Sequence, residues 1–221
     1  MTSIEPGPAV TLLSYVTHEI GNHLAVVQGF GEMLVEGVET LPAATLREFA
    51  QAIVRSGAHV RELFQTISDL QRIEQGRLQV DTHEVDLAAV VRERVDLWRP
   101  QLGGRRVGVT VPDEVRIVAD RDRIGAVVSQ LLSNAFRYTP STATVEIHLA
   151  PTDDQVALTV ADDGPGIDPG RRGELFERGV ATTTGAGVGL FVARYVARAH
   201  GGDLVLVDRP AGACFLLRLP R

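Results

Sequence analysis

The chain has 221 residues, a formal net charge of −6 at pH 7 and a hydrophobic content of 44%. This length suits one or two domains with a sizeable core, and the acidic balance argues against a nucleic-acid-binding surface. All 22 basic residues are arginine, because the chain contains no lysine. The Walker A loop and the strand lysine of serine, threonine and tyrosine kinases are therefore excluded.

The cysteine count and the length of the apolar runs indicate the compartment. Cys214 is the only cysteine, which excludes an intramolecular disulfide, and its apolar neighbours predict a core position on a strand. No apolar run approaches the roughly 18–20 residues that a membrane-spanning helix needs. The N-terminus also lacks a signal-peptide pattern. We therefore expect a cytoplasmic chain without a membrane segment.

Two long amphipathic helices are predicted at the start of the chain. Apolar residues recur at steps of three and four over 8–38 and again over 45–73. Leu41-Pro42 separates the two runs, Thr45 predicts an N-terminal cap, and Gly76 predicts a C-terminal cap. Because a lone hairpin cannot bury both apolar stripes, we expect two copies to form a homodimeric four-helix bundle. The alternative is a hairpin that folds back on the rest of the chain.

The pattern changes to short helices and strands after Gly76. Helices are predicted at 87–98, 124–138 and 188–200, and strands at 106–111, 115–118, 144–149, 155–161, 204–207 and 213–219. The strands look antiparallel, and their mixture with helices indicates a two-layer α/β sandwich. The predicted fold class is α+β, with a helical domain at 1–78 and a sandwich domain at 79–221.

Short polar and glycine-rich motifs follow one another in the predicted sandwich domain. They are Asn134-Ala135-Phe136-Arg137-Tyr138, Asp162-Asp163-Gly164-Pro165-Gly166-Ile167, Leu175-Phe176-Glu177-Arg178-Gly179 and Gly185-Ala186-Gly187-Val188-Gly189-Leu190. A carboxylate beside a glycine pair can read the edge of a base. A glycine cluster that opens a helix offers free backbone N–H groups to phosphate. Together the motifs predict a nucleotide pocket.

In this order and spacing the motifs resemble the N, G1, F and G2 boxes of bacterial sensor histidine kinases, within the wider ATPase superfamily of Hsp90, DNA gyrase and MutL. Residues 17–24 resemble the H box, which carries the phosphorylated histidine of that family. The resemblance implies a dimerisation and histidine phosphotransfer domain at 1–78, followed by a catalytic ATP-binding domain of the Hsp90, gyrase and histidine kinase type at 79–221. It also implies ATP and Mg²⁺ as cofactors and a response-regulator receiver domain as partner.

The resemblance assigns catalytic roles to three residues of the first helix. His18 would be the nucleophile, Glu19 its base, and Asn22 the residue that holds water for dephosphorylation of the receiver domain. A neutral imidazole beside a carboxylate suits attack on a phosphoryl group. A zinc site of His18, Glu19 and His23 is disfavoured, because the two histidines are five residues apart and point about 140° away from each other. His23 stands where the family usually has proline.

The resemblance also assigns the nucleotide and metal contacts. Asn134 would help to hold Mg²⁺, with Gln130 in place of a further asparagine, and Arg137 would neutralise phosphate in place of the usual lysine. Tyr138 would line the purine pocket. Asp162 would accept a hydrogen bond from the exocyclic amine of adenine, so ATP should bind better than GTP. The other implied nucleotide-binding residues are Gly164, Gly166, Ile167, Gly185, Gly187, Val188, Gly189 and Leu190. A lid containing Phe176 and Arg178 is expected between the two glycine clusters.

The sequence thus predicts a histidine kinase of a two-component system, which phosphorylates His18 from ATP and passes the phosphoryl group to an aspartate of a response regulator. The Asn22 pattern adds a regulator phosphatase activity. Two alternatives stay open, namely a histidine phosphotransferase with a degenerate ATP domain and a non-kinase ATPase of the same superfamily. Intact glycine clusters argue against the first alternative. Gln130 argues against the second, because those ATPases have a water-activating glutamate there.

Overall fold

The described part of the chain begins with a hairpin of two long helices. A computed structural model describes residues 8–101, 105–177 and 187–221, including all their side chains except those of 8–15 and 101. Helix α1 spans Pro8–Gly37 and helix α2 spans Ala43–Glu74. The two predicted helices are therefore confirmed. The predicted cap at Thr45 is wrong, because α2 already begins after Pro42, whose fixed backbone angle (φ −58°) suits a helix start.

Helix α2 ends at a glycine in the left-handed conformation. Gly76 has a left-handed φ of +63°, and its N–H donates to the carbonyl of Ile73 at 3.0 Å. The N–H of Arg77 donates to the carbonyl of Arg72 at 2.8 Å. This pair of bonds is a Schellman motif, which satisfies the last carbonyls of the helix. The predicted C-terminal cap at Gly76 is confirmed.

The rest of the chain alternates between strands and helices. The elements are β1 (His83–Asp86), α3 (Leu87–Trp98), β2 (Arg106–Thr110), β3 (Arg116–Ala119), α4 (Arg121–Tyr138), β4 (Thr144–Pro151), β5 (Gln155–Asp162), α5 (Gly189–Ala199), β6 (Asp203–Leu206) and β7 (Cys214–Pro220). Helix α4 begins earlier than predicted, because the Asp120 carboxylate accepts from the N–H of Arg123 at 3.1 Å and caps the first turn. Strand β1 was not predicted.

Five strands form the main sheet in the order β2-β4-β5-β7-β6, and β1 pairs with β3 in a separate two-stranded sheet. All pairs of the main sheet are antiparallel except β2 and β4, which run parallel. The sequence indicated antiparallel hairpins and did not predict this parallel pair. The chain between β2 and β4 passes through β3 and α4, and such a crossover returns the chain in the same direction.

The core lies between one face of the main sheet and helices α3, α4 and α5. Alternate residues of β4, β5 and β7 are buried, as expected for a sheet with one covered face. The largest fully buried side chains are Leu87, Ile124, Leu131, Leu132, Ile147, Leu149, Leu158, Leu204, Leu217 and Leu219. Cys214 is buried on β7, as predicted. The predicted α+β fold with a two-layer sandwich is confirmed.

Helix α2 also packs against the sandwich domain. Leu70 is buried in the same core as Val91 and Leu132. Arg123 contacts Asp69 at 3.2 Å, and both side chains are buried. The alternative of a hairpin folded back on the rest of the chain is therefore realised for one face of α2. None of the described helices is long and apolar enough to cross a membrane.

Candidate functional site

A cavity of about 440 Å³ lies where the helical hairpin meets α4, the end of β5 and the start of α5. The predicted nucleotide-binding residues that line it are Gln130, Asn134, Arg137, Tyr138, Asp162, Gly166, Ile167, Gly187, Val188, Gly189 and Leu190. Of the predicted catalytic residues, Glu19 lines the cavity, whereas His18 and Asn22 lie outside it. Gly164 lies next to Asp162, and Gly185 falls outside the described residues.

The Asp162 carboxylate is held at the end of β5 by backbone groups. Its Oδ1 accepts from the N–H of Gly164 at 2.9 Å and from that of Ala213 at 3.2 Å. Burial raises the pKa of Asp162 above its ordinary value, and these two N–H groups partly offset the rise. A half-desolvated carboxylate in a fixed orientation is suited to reading one edge of a base. Asp163 has a different role, because its carboxylate is exposed and accepts from the N–H of Thr144 at 2.7 Å.

Gly212 allows this arrangement, although it was not predicted as a site residue. It has a φ of +73°, and a Cβ there would lie 1.7 Å from the carbonyl oxygen of Asp162. Only glycine permits so close an approach of the β6–β7 turn to the end of β5. The sequence signal was present in the Pro-Ala-Gly turn at 210–212, but it indicated a hairpin and not a site.

Gln130 and Asn134 lie one turn apart on α4. The Gln130 Nε2 donates to the Asn134 Oδ1 at 2.9 Å. A Cβ at residue 189 would lie 2.1 Å from the Gln130 Oε1, so glycine at the start of α5 makes room for this side chain. Both side chains carry a neutral amide oxygen, which is the hard type of ligand that Mg²⁺ takes beside phosphate oxygens and water. The donor set therefore fits the expected metal.

Arg137 joins the two parts of the molecule. Its Nη2 lies 3.4 Å from the Glu19 Oε2, and about a quarter of each side chain is exposed. The group expected to neutralise phosphate and the group expected to act as base are thus paired with each other. The predicted sequence motifs gave no sign of this pairing, because 118 positions separate the two residues.

His18 lies on the exposed surface of α1. Its Nε2 is 3.3 Å from the Asn22 Nδ2, one turn further along the helix. If the amide donates, this nitrogen carries the lone pair, which is the form that a nucleophile needs. Neighbouring residues on a helix point about 100° apart, which explains why Glu19 faces the cavity and His18 does not.

The start of α5 and the lid segment complete the cavity. Gly187 has a φ of +66°, and α5 begins two residues later, so its first N–H groups face the cavity end of the helix. Phe176 of the expected lid packs edge-on against Phe215, with ring centroids 6.4 Å apart. Arg178 and the rest of the lid up to residue 186 fall outside the described residues.

The hairpin supplies a wall of the cavity that sequence reasoning missed. The lining residues on this side include His59, Glu62, Leu63, Thr66 and Ile67 of α2 and Trp98 of α3. Leu63 and Ile67 belong to the stripe that was assigned to dimerisation alone. Glu62 accepts from Arg94 and from Ser129, both at 2.8 Å, which ties α2 to α3 and α4. Burial raises the pKa of Glu62, and these two partners oppose the rise.

Comparisons with known proteins agree with this architecture. Residues 10–76 match the His Kinase A (phospho-acceptor) domain, and residues 119–221 match the histidine kinase-, DNA gyrase B- and HSP90-like ATPase family. Histidine protein kinase DivJ of Caulobacter vibrioides is 30% identical over 218 residues, which are 94% of this chain and 36% of DivJ. The chain belongs to the histidine kinases and has the domain pair of a bacterial sensor histidine kinase core. It spans less than half the length of the curated relatives it matches.

Solved structures share the fold. The mycobacterial sensor histidine kinase MprB has a TM-score of 0.57 and 28% identity, and the match covers 62% of this chain and 97% of that chain. The histidine kinase ThkA in complex with the response regulator protein TrrA has a TM-score of 0.62 and 23% identity. That match covers 94% of this chain and 60% of that chain. It extends the likeness in fold to the helical hairpin.

The Asp162→Asn substitution should weaken ATP binding by about 1.5–3 kcal/mol, because an amide replaces one carboxylate acceptor with a donor. The raised pKa of Asp162 means that the wild-type carboxylate takes up a proton at a higher pH than an ordinary aspartate. ATP affinity should therefore fall as the pH is lowered through this raised pKa, and the Asp162→Asn protein should lack that dependence. Isothermal titration calorimetry at several pH values measures both effects.

Asp163→Asn is the matched control, because its exposed carboxylate serves the turn and does not line the cavity. It should bind ATP like the wild type. An Asp162→Asn protein with unchanged ATP affinity would contradict the adenine-reading role.

Proposed function

We propose that the chain is the catalytic core of a two-component histidine kinase. ATP binds in the cavity, His18 is phosphorylated, and the phosphoryl group passes to an aspartate of a response-regulator receiver domain. The observation that carries this proposal is the cavity itself, which brings residues of the N, G1 and G2 motifs together and includes Glu19, the neighbour of His18. The degenerate-domain and non-kinase alternatives are not favoured, because the nucleotide residues are assembled beside a phospho-acceptor hairpin.

The chemistry requires few protein groups. The His18 Nε2 forms a bond to the γ-phosphorus while the bond to the β–γ bridging oxygen breaks, and ADP leaves with that electron pair. Glu19 takes the proton that the phosphorylated imidazole loses. Arg137 neutralises phosphate charge, which is the main requirement of such a transfer. In this structure Arg137 is paired with Glu19, so binding of the phosphates to Arg137 would also release the base.

Mg²⁺ would be held by Asn134 and Gln130, and when bound it supplies further neutralisation of the phosphate oxygens. The chain's own residues prepare this site. The Gln130 amide donates a hydrogen bond to the Asn134 Oδ1, so it would have to turn away before this oxygen could bind the metal.

The proposed partner is a receiver domain, as in the ThkA structure with its response regulator. The exposed position of His18 on α1 leaves it accessible to such a domain. Asn22 lies one turn away and is equally exposed. We assign it the role of holding the water that hydrolyses the phosphorylated aspartate of the receiver. The proposed domain boundary lies between residues 78 and 79, and the proposed compartment is the cytoplasm.

We further propose a homodimer through the helical hairpin. Large apolar side chains on it remain exposed, including Val35 (79%), Val54 (69%) and Phe64 (56%). More than half of each of these residues is therefore accessible in the described part of the chain. A second hairpin would bury them in a four-helix bundle.

The full chain and the fragment of residues 1–78 should both sediment as dimers. The Val35→Asp substitution should shift the full chain toward monomer, because it places a charge in the apolar contact. Val118→Asp is the matched control, since Val118 is 61% exposed but lies on β3, outside the hairpin. A wild-type chain that stays monomeric at all concentrations in analytical ultracentrifugation would refute the dimer.

His18→Gln should abolish autophosphorylation and leave ATP affinity nearly unchanged, because residue 18 lies outside the cavity. The test is incubation with γ-labelled ATP, followed by measurement of the acid lability of the label. His148→Gln, an exposed position on β4, is the control and should label normally. Full labelling of the His18→Gln protein would remove the assigned nucleophile.

Asn22→Ala should separate two activities. The variant should autophosphorylate near the wild-type rate, because Glu19 is the proposed base. A phosphorylated receiver domain should survive longer with the variant than with the wild type in the presence of ADP. If the wild-type chain itself fails to accelerate receiver dephosphorylation, the water-holding role of Asn22 is wrong.

A further inference from the structure

A column of aromatic rings crosses the boundary between the hairpin and the sandwich domain. His23 of α1 stacks on His59 of α2 with ring centroids 4.9 Å apart and planes 21° apart. The His59 ring meets Trp98 of α3 edge-on at 4.5 Å, and Trp98 meets Phe136 of α4 at 5.7 Å. The column therefore links the helix that carries the phospho-acceptor to the helix that carries Asn134.

The arrangement held by this column does not bring His18 to the nucleotide cavity of its own chain. Glu19 faces the cavity and is paired with Arg137, whereas His18 faces solvent. Transfer within this arrangement would require α1 to turn by about 100°, the angle between neighbouring helical residues. Otherwise the sandwich domain must leave the hairpin. In both cases the contacts that the rings make with one another must change.

His59 is buried and His23 is half-buried, and this burial disfavours the charged form of both imidazoles. The pKa of His59 is lowered from the ordinary histidine value of 6.5 to about 4, mainly by burial and also by repulsion from the neighbouring His23. Burial also lowers the pKa of His23, although Glu19 opposes this effect. Only 5% of His59 is exposed.

The charged groups around the two histidines give little stabilisation to a protonated imidazole. On α1, Glu19 is paired with Arg137. On α2, Arg55 repels a charged His59 although its backbone carbonyl contacts the ring. Glu62 of the same helix is already bonded to Arg94 of α3 and Ser129 of α4.

We propose that His23, His59 and Trp98 form a proton-sensitive latch, which holds the sandwich domain against the hairpin while both imidazoles are neutral and releases it when they take up protons. The consequence of the latch, which is access of His18 to nucleotide, rests on the proposed function. The physical opening itself can be measured without any phosphorylation.

The direction of the pH dependence follows from linkage. In the closed arrangement His59 binds a proton only near pH 4, whereas a solvent-exposed histidine binds one near 6.5. The closed arrangement therefore has its full stability above about pH 6.5 and loses stability as the pH falls toward 4. For His59 alone, each pH unit in this window changes the equilibrium between closed and open arrangements about tenfold. A contribution from His23 would make the change steeper.

Trp98 provides the readout, because it is the only tryptophan in the chain. The emission of the full chain without nucleotide should shift to longer wavelength as the pH is lowered from 7.5 to 5, since opening exposes the indole to water. His59→Phe keeps a ring in the column but removes one of the two protonation sites, so its emission should change much less over this range than that of the wild type. His148→Phe replaces an exposed histidine on β4 and should behave like the wild type.

The latch is wrong if wild-type emission does not change over this range, or if His59→Phe shows the same change as the wild type. Circular dichroism at each pH distinguishes opening from acid unfolding, which would lower the helix signal together with the emission change. If His59→Phe does not fold, His23→Phe replaces it and should show a shallower pH response than the wild type. A His18→Gln protein should open like the wild type, so a failure of the latch and a failure of the nucleophile assignment give different results.

Discussion

The closed arrangement depends on two arginines that carry charge into the contact between α2 and the sandwich domain. Arg123 lies between Asp69 and Asp120, and Arg94 reaches Glu62. A buried ion pair adds little net stability, because desolvation of the charges offsets their attraction, but removal of one partner costs about 3–5 kcal/mol. The pairs therefore determine where α2 lies more than how strongly it is held. Any other position along the helix would leave a charge buried without a partner.

The position of α2 in turn places α1. Gly125 leaves room for the Arg94 side chain that reaches Glu62 of α2, because a Cβ at residue 125 would lie 2.8 Å from the Arg94 guanidinium. Once α2 is seated, α1 beside it brings Glu19 to Arg137 and His23 onto His59. The cavity therefore has walls from two domains, although each motif that identified it lies in one of them.

Local patterns of the sequence predicted most of the elements. Apolar periodicity predicted α1, α2 and α3, because each helix buries one face and the period is visible within a few turns. The start of α2 was placed too late at Thr45, because the backbone angle fixed by Pro42 begins the helix without a side-chain cap. The parallel pairing of β2 with β4 was missed because alternation within a strand does not encode the direction of its neighbour.

The residues of the candidate site also differ in whether local sequence patterns predicted them. Its nucleotide side was predicted, because Asn134, Asp162 and the glycines lie in short motifs whose chemistry is local. The hairpin side was missed, because His59 and Glu62 lie in an ordinary amphipathic stripe. Their position in the cavity depends on partners such as Trp98 that are far away in the chain. A single sequence does not show which long-range partners will meet.

The contacts between the hairpin and the sandwich domain are not equally strong along α2. At the C-terminal end, Asp69 is 3% exposed and Leu70 belongs to the shared core. Beside the middle of α2, Glu19 of α1 and Arg137 of α4 are about a quarter exposed, so solvent screens their ion pair more than it screens the pair at Asp69. The stacked imidazoles beside this pair can also gain charge. A motion that separates the two parts is therefore expected to pivot about the buried end near Asp69 and to open first beside the phospho-acceptor helix.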